Sequence, residues 1–160
     1  GYGGIELALK NLANSTGVAD VVKFVGRRSQ EELNMLTPQA DVGVISYLPH
    51  DFNTKNCSPN KLFEFIAAGI PIVSNRLQFV EQLLMELGNG RCEEIKDHQA
   101  FATALLEIAN QRVDKKFQIN CESAQSKVGW EVEALKLNSI YRDLAPLGSD
   151  VAVIAKEQNV

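Results

Sequence analysis

The segment NCSPNKLFEFIAAGIPIVSN contains one carboxylate, Glu64, in an otherwise apolar run with helical character. Carboxylates are seldom buried unless they are paired or hydrogen-bonded. Ser58 and Pro59 are typical of a helix start, and the glycine and proline before the final VSN are typical of a helix end. We therefore predict a helix with Ser58 as its N-cap and ask what Glu64 contacts.

The start of this predicted helix has the chemistry of an anion site. With Ser58 as the N-cap, the backbone N–H groups of Asn60 and Lys61 are free. A phosphate would accept from these donors and would neutralise Lys61, which otherwise opposes the helix dipole. Glu64 would then lie about one turn further on, where its carboxylate could accept hydrogen bonds from the vicinal hydroxyls of a ribose.

The same pattern is compatible with a simple packing helix. On that interpretation Lys61 and Glu64 form a solvated pair that contributes about 0.2–0.5 kcal/mol. Helical spacing places Glu64 on one face with Ala67 and Ala68, and these small side chains leave room for a ligand.

The surrounding elements alternate between strands and helices. Strands are predicted at VVKFVG (21–26), DVGVISY (41–47), IPIVS and, at an edge, RCEEI. Helices are predicted around 5–13, after a capping box of Ser29 and Glu32, at 78–87, from Asp97 to about 110, and across 115–144; residues 145–160 are predicted to be a tail. This alternation predicts an α/β fold with a parallel sheet covered on both faces.

Composition narrows the class of protein. The 160 residues suit one domain, and the net charge of −4 argues against nucleic acid as a partner. The three cysteines are too dispersed for a zinc cluster and are expected to be free thiols. No membrane span or signal peptide is evident, which predicts a cytoplasmic protein, and the opening helix suggests that a strand precedes Gly1.

Five blocks of the sequence carry a resemblance to a known family; in order they are VKFVGRRSQEELNMLTPQADVGVISY, SPNKLFEFIAAGIPIVSN, GNG, DHQAFATALLEIA and GWEVEALKLNSIYRDL. Together they resemble the GT-B glycosyltransferases called glycosyl transferases group 1. The resemblance implies that residues 1–144 are the C-terminal, Rossmann-like domain that binds the nucleotide-sugar donor. A separate N-terminal domain would hold the acceptor, so this chain alone is expected to be inactive.

The resemblance also implies roles for particular residues. Glu64 matches the second glutamate of the family's signature, which binds the ribose. Asn56 stands eight residues earlier, at the position of the first glutamate, which contacts the donor sugar in the family. Ser58, Asn60 and Lys61 match the diphosphate site. Residues near the base are expected to be Gly26, Arg27 and Arg28, with a solvated basic turn as the alternative. Trp130 and Tyr141 match the closing helices of the family and are interpreted as core anchors.

The implied activity is retaining, metal-independent transfer of a sugar from a nucleoside diphosphate sugar to a glycan or lipid-linked acceptor, in polysaccharide or cell-surface glycan biosynthesis. No cofactor is expected, and association with the inner face of the membrane would occur through the separate domain. The alternatives are a nucleotide-sugar 2-epimerase of the same architecture and a non-catalytic module that only binds sugar nucleotides.

Overall fold

The computed structural model describes residues 4–111 and 113–144. Its helices are α1 (Glu6–Ser15), α2 (Gln30–Leu36), α3 (Phe52–Lys55), α4 (Asn60–Ala67), α5 (Gln78–Leu87), α6 (His98–Gln111), α7 (Lys115–Lys127) and α8 (Trp130–Leu144). Its strands are β1 (Gly43–Ile45), β2 (Ile72–Ser74) and β3 (Gly90–Cys92), and a 3₁₀ helix spans Thr37–Gln39.

The three strands form one parallel sheet in the order β1-β2-β3. Gly43 pairs with Ile72, and Ile72 in turn pairs with Gly90, so β2 is the central strand. Helices connect the strands, as parallel pairing requires. The predicted α/β, Rossmann-like class is confirmed.

Side chains alternate between the two faces of the sheet and form two apolar clusters. The larger cluster joins β1 and β2 to helices α4, α5 and α7, and consists of Ile45, Leu62, Ile66, Ile72, Leu77, Val80, Leu84, Leu87 and Ala124. The smaller cluster joins β2 to α6 and consists of Val73, Phe101, Ala104 and Ile108. Because Leu62 and Ile66 are buried in the larger cluster, α4 is held firmly beside the sheet.

At two glycines, Gly43 and Gly90, the absence of a side chain lets neighbouring groups pack directly against the strand backbone. A Cβ at Gly43 would lie 2.5 Å from the ring of Phe65, so the Phe65 side chain packs directly on the backbone of β1. A Cβ at Gly90 would lie 2.4 Å from the carbonyl oxygen of Ile72. The second contact is with the backbone of the neighbouring strand, which cannot move without disturbing the sheet.

The predicted strand at 21–26 is wrong. The backbone N–H groups of Val21 and Val22 both donate to the carbonyl of Val18, at 3.1 Å, so the segment begins in a turn. The residues that follow form no strand in the described structure, and the side chain of Val21 is 79% exposed. A β-branched run becomes a strand only where a neighbouring strand pairs with it, and no described strand does so here.

Local signals predicted several helix boundaries correctly. Ser29 and Glu32 form the expected capping box, with Ser29 Oγ accepting from the Glu32 N–H at 3.2 Å and Glu32 Oε2 from the Ser29 N–H at 2.8 Å. These contacts hold the pKa of Glu32 below its ordinary value. Asp97 accepts from the N–H of Ala100 at 2.9 Å at the start of α6. The edge strand predicted at RCEEI is present as β3.

Two other predictions need correction. Pro59, not Ser58, is the N-cap of α4, because its φ of −67° and ψ of 136° are extended and place the helix start one residue later. The segment 48–57, for which no helix or strand was predicted, contains the short helix α3, whose start is capped by Asp51 accepting from the Thr54 N–H at 2.7 Å.

Trp130 and Tyr141 are not core anchors in the described part of the chain. The side chain of Trp130 is 72% exposed and that of Tyr141 is 64% exposed. Helix α8 has no buried residue, and none of its residues belongs to either apolar cluster. The predicted tail at 145–160 lies outside the described residues.

The cysteines are free thiols, as predicted. Burial raises the pKa of Cys92 to about 12, so its thiol stays protonated and unreactive. No helix in the described ranges combines the length and apolar character needed to cross a bilayer.

Candidate functional site

A cavity of about 450 Å³ separates α4 from α2 and the 3₁₀ helix that follows α2. Its α4 wall consists of Phe63, Glu64, Ala67 and Ala68. Its opposite wall consists of Gln30, Leu33, Asn34, Thr37 and Pro38. The volume lies in the range of small-molecule sites in proteins.

Among the described residues, Glu64 is the only carboxylate that lines this cavity. Its side chain is half-buried, and within the described structure it accepts no hydrogen bond and forms no ion pair. The solvated pair with Lys61 that the sequence allowed is therefore not formed. Ala67 and Ala68 lie one turn beyond Glu64 and leave its carboxylate accessible from the cavity.

The start of α4 offers hydrogen-bond donors without protein acceptors. Because Pro59 is the N-cap, Asn60 and Lys61 are the first two helical residues, and their N–H groups have no acceptor among the described residues. The N–H of Leu62 donates to the carbonyl of Pro59 at 3.0 Å. The side chain of Lys61 is exposed and likewise has no partner in the described structure, and the first turn contains no acidic residue.

The other predicted site residues lie outside the cavity walls. Ser58 is exposed and its side chain forms no cap. Asn56 is the C-cap of α3, and one N–H of its carboxamide donates to the carbonyl of Phe52 at 2.8 Å. Its exposed side chain retains the carbonyl oxygen as an acceptor.

The basic turn before α2 is also separate from the cavity lining. Gly26 has a positive φ of 70°, and it is followed by the exposed side chains of Arg27 and Arg28. Arg28 Nη1 donates to Glu32 Oε1 at 3.0 Å, on the side of α2 that does not line the cavity. Glu64 therefore lines the cavity, whereas the three turn residues do not.

Sequence reasoning missed Gln30, Leu33, Asn34 and Thr37. Their spacing places them on one face of α2 and its 3₁₀ extension, and this face lines the cavity. Gln30 Nε2 donates to Asn34 Oδ1 at 3.0 Å. The only available signal was the spacing of two carboxamides by four residues, which is common on solvated helices.

A second, more open cavity of about 640 Å³ lies at the carboxyl ends of the strands. Its lining includes Pro49, Lys55, Arg76, Gln78, Glu81, Gln82, Met85 and Glu94. Arg76 is neutralised there by Glu81, at 2.7 Å, whereas Lys55 has no described partner. Ligands of open α/β sheets commonly bind at this edge.

Buried Asn75 holds this edge together, which the sequence did not indicate. Its Nδ2 donates to the carbonyl of Tyr47 at 2.8 Å, and its Oδ1 accepts from the N–H of Ile95 at 3.0 Å. The backbone N–H of Asn75 donates to Ile45 at 2.8 Å. One side chain therefore joins the segments that follow all three strands and fixes the loops around the carboxyl edge.

The parallel sheet and its flanking helices define an α/β domain of the Rossmann-like class. The sequence profile of the family described as "Glycosyl transferases group 1" matches residues 1–111. The chain belongs to this family, and the resemblance inferred from its motifs is confirmed.

Two curated relatives are glycosyltransferases. The chain is 30% identical over 114 residues to the amylovoran biosynthesis glycosyltransferase AmsK of Erwinia amylovora, covering 71% of this chain and 28% of that protein. It is 27% identical over 138 residues to the D-inositol 3-phosphate glycosyltransferase of Corynebacterium urealyticum, covering 85% of this chain and 31% of that protein. The chain thus spans about three-tenths of the length of each relative. No solved structure matches it significantly.

Proposed function

We propose that this chain is the donor-binding domain of a retaining glycosyltransferase and that its cavity receives a nucleoside diphosphate sugar. The observation that carries the proposal is the half-buried Glu64 carboxylate, which lines a cavity of about 450 Å³ and has no partner among the described residues. A buried or half-buried carboxylate loses solvation, which a ligand with hydroxyl donors restores. Family membership supports the same assignment.

The order of groups along α4 suits a nucleotide. Glu64 would accept hydrogen bonds from the ribose hydroxyls, and the free N–H groups of Asn60 and Lys61 would donate to the diphosphate about one turn, or roughly 5 Å, away. The unpaired Lys61 side chain would add a positive charge at the phosphates. Asn56, with its free carbonyl oxygen, would contact the donor sugar, and Ser58 would flank the diphosphate.

Catalysis on this proposal is electrostatic. As the glycosidic bond of the donor breaks, negative charge develops on the departing diphosphate. The helix-start donors of Asn60 and Lys61 are already oriented and would stabilise that charge without a large rearrangement. Glu64 positions the nucleotide and takes no part in bond formation.

The complete protein is proposed to transfer a sugar to a glycan or lipid-linked acceptor that a separate N-terminal domain holds. A role in polysaccharide biosynthesis is favoured because the relative AmsK is a glycosyltransferase of amylovoran biosynthesis. We place the reaction in the cytoplasm, at the inner face of the membrane when the acceptor is lipid-linked. The domain is proposed to span residues 1–144 and to be inactive alone.

Product analysis of the full-length protein tests this function. Incubation with nucleoside diphosphate sugars and glycan acceptors is expected to yield a glycosylated acceptor with retained anomeric configuration. An epimerised donor would identify a 2-epimerase, and binding without turnover would identify a non-catalytic module. Either result would overturn the proposed transfer reaction.

Lys61→Ala is expected to weaken nucleoside diphosphate binding about tenfold and nucleoside binding less than twofold, because Lys61 would contact only phosphate. Stability should not fall, since the substitution removes a cation from the positive end of the α4 dipole. Isothermal titration calorimetry and thermal melting measure the two effects. Lys127→Ala, which removes an exposed lysine from α7, is the matched control. Equal weakening of both ligand classes would contradict the phosphate role.

Chelation should change nucleotide binding little. The described residues contain no group of three or more His, Cys, Asp or Glu side chains arranged to hold a metal ion. We expect dissociation constants measured with EDTA and with magnesium to agree within about twofold, because protein donors supply the charge stabilisation. A strict requirement for a divalent ion would refute metal-independent donor binding.

A further inference from the structure

The α2 wall of the first cavity is neutral and hydrogen-bonding. Gln30 and Asn34 supply its carboxamides, and no charged side chain of α2 lines the cavity. A neutral wall is a poor binding surface for a diphosphate. The free backbone N–H donors and the Lys61 side chain at the start of α4 are better suited to bind its negative charge. The wall suits a neutral ligand group whose hydrogen-bonding atoms point in fixed directions.

The two carboxamides are arranged as a pair. Gln30 Nε2 donates to Asn34 Oδ1 at 3.0 Å, so each side chain fixes the orientation of the other. This bond leaves Gln30 Oε1 as a free acceptor and Asn34 Nδ2 as a free donor. A donor and an acceptor on the same cavity wall can complement the polar edge of a nucleobase, which also carries donors and acceptors.

Apolar groups flank this pair. Leu33 lies on the same helix face, and Phe63 approaches from the α4 wall. The Phe63 ring contacts the ring of Phe79, with centroids 6.4 Å apart, which supports its position. A flat base could therefore lie against Leu33 and Phe63 while Glu64, the next residue on α4, binds the attached ribose.

We propose that Gln30 and Asn34 select the nucleobase of the donor, an inference that rests on the proposed function of the same cavity. The arginines of the preceding turn are assigned no such role, because neither lines the cavity and Arg28 is paired with Glu32. Base selection thus comes from the neutral face of α2 and not from the basic turn before it.

The test compares the dissociation constants of UDP, GDP, ADP, CDP and dTDP for the full chain and its variants. The wild type is expected to prefer one diphosphate by about tenfold or more. Asn34→Leu and Gln30→Met should each weaken the preferred diphosphate about tenfold while leaving ribose 5-phosphate within about twofold, since this probe lacks a base. Both side chains are exposed, so thermal melting should change little.

Gln99→Met is the matched control, because Gln99 is an exposed carboxamide on α6, outside the described cavities. It should leave every dissociation constant within about twofold. Three results would each overturn the base-selecting role. The α2 variants could keep the wild-type preference among the diphosphates, or they could bind all five diphosphates and ribose 5-phosphate more weakly by the same factor. The third such result is a wild type that shows no preference among the diphosphates. If Glu64→Gln still weakens binding in those cases, the proposed function survives; if no nucleoside diphosphate binds the wild type, both fail.

Discussion

Glu64→Gln is expected to weaken nucleoside diphosphate binding by about 1.5–3 kcal/mol, roughly 10- to 150-fold. The substitution keeps the shape of the side chain but replaces a charged acceptor with a neutral one, so charge-assisted bonds to the ribose are lost. Stability should change little, because the carboxylate has no described partner in the folded chain. Calorimetric titration and thermal melting of the same samples measure both quantities.

The ribose assignment has its own control. A 2′-deoxy diphosphate should already bind weakly to the wild type and should lose little more in Glu64→Gln, because the partner hydroxyl is absent in both measurements. Glu86→Gln, at an exposed carboxylate of α5, should leave affinity unchanged. If Glu64→Gln lowered the melting temperature and left affinity unchanged, Glu64 would be a structural residue and the donor site would have to lie elsewhere.

Gly90→Ala is expected to lower the free energy of unfolding by about 3 kcal/mol. The added Cβ would lie 2.4 Å from the carbonyl oxygen of Ile72, in the central strand, so β2 and β3 must separate to accommodate it. The buried side chains of β2 would be displaced with the backbone, since Ile72 and Val73 belong to different apolar clusters. Urea unfolding followed by circular dichroism measures the change.

A matched substitution distinguishes steric conflict from loss of glycine as such. A Cβ at Gly4 would meet no atom of the described residues within 4 Å, so Gly4→Ala should change stability by less than about 0.5 kcal/mol. Equal stability of Gly90→Ala and the wild type would show that the two strands are not packed as closely as described. Nucleotide binding by any folded Gly90→Ala protein is expected to survive, because α4 and α2 do not contain the substituted residue.

Local signals explain which parts of the fold were predictable. The capping residues Ser29, Asp97 and Asp114 act on donors two or three residues away, so their effect can be inferred without tertiary structure. The run at 21–26 shows the limit of this reasoning. Its β-branched composition favours a strand, but strand formation depends on a pairing partner that composition does not reveal.

The candidate site also has one part that the sequence predicted and another part that only the tertiary structure decided. The sequence alone determined that α4 would present Glu64 beside small alanines and would begin near Asn60 and Lys61, because helical periodicity and helix-end chemistry act within a few residues. Tertiary structure alone decided that Gln30 and Asn34 face Glu64 across a cavity, whereas Arg27 and Arg28 do not. The two walls are some thirty residues apart in sequence. Their relative placement depends on how α4 packs against the sheet through Leu62 and Ile66, and no local pattern encodes that packing.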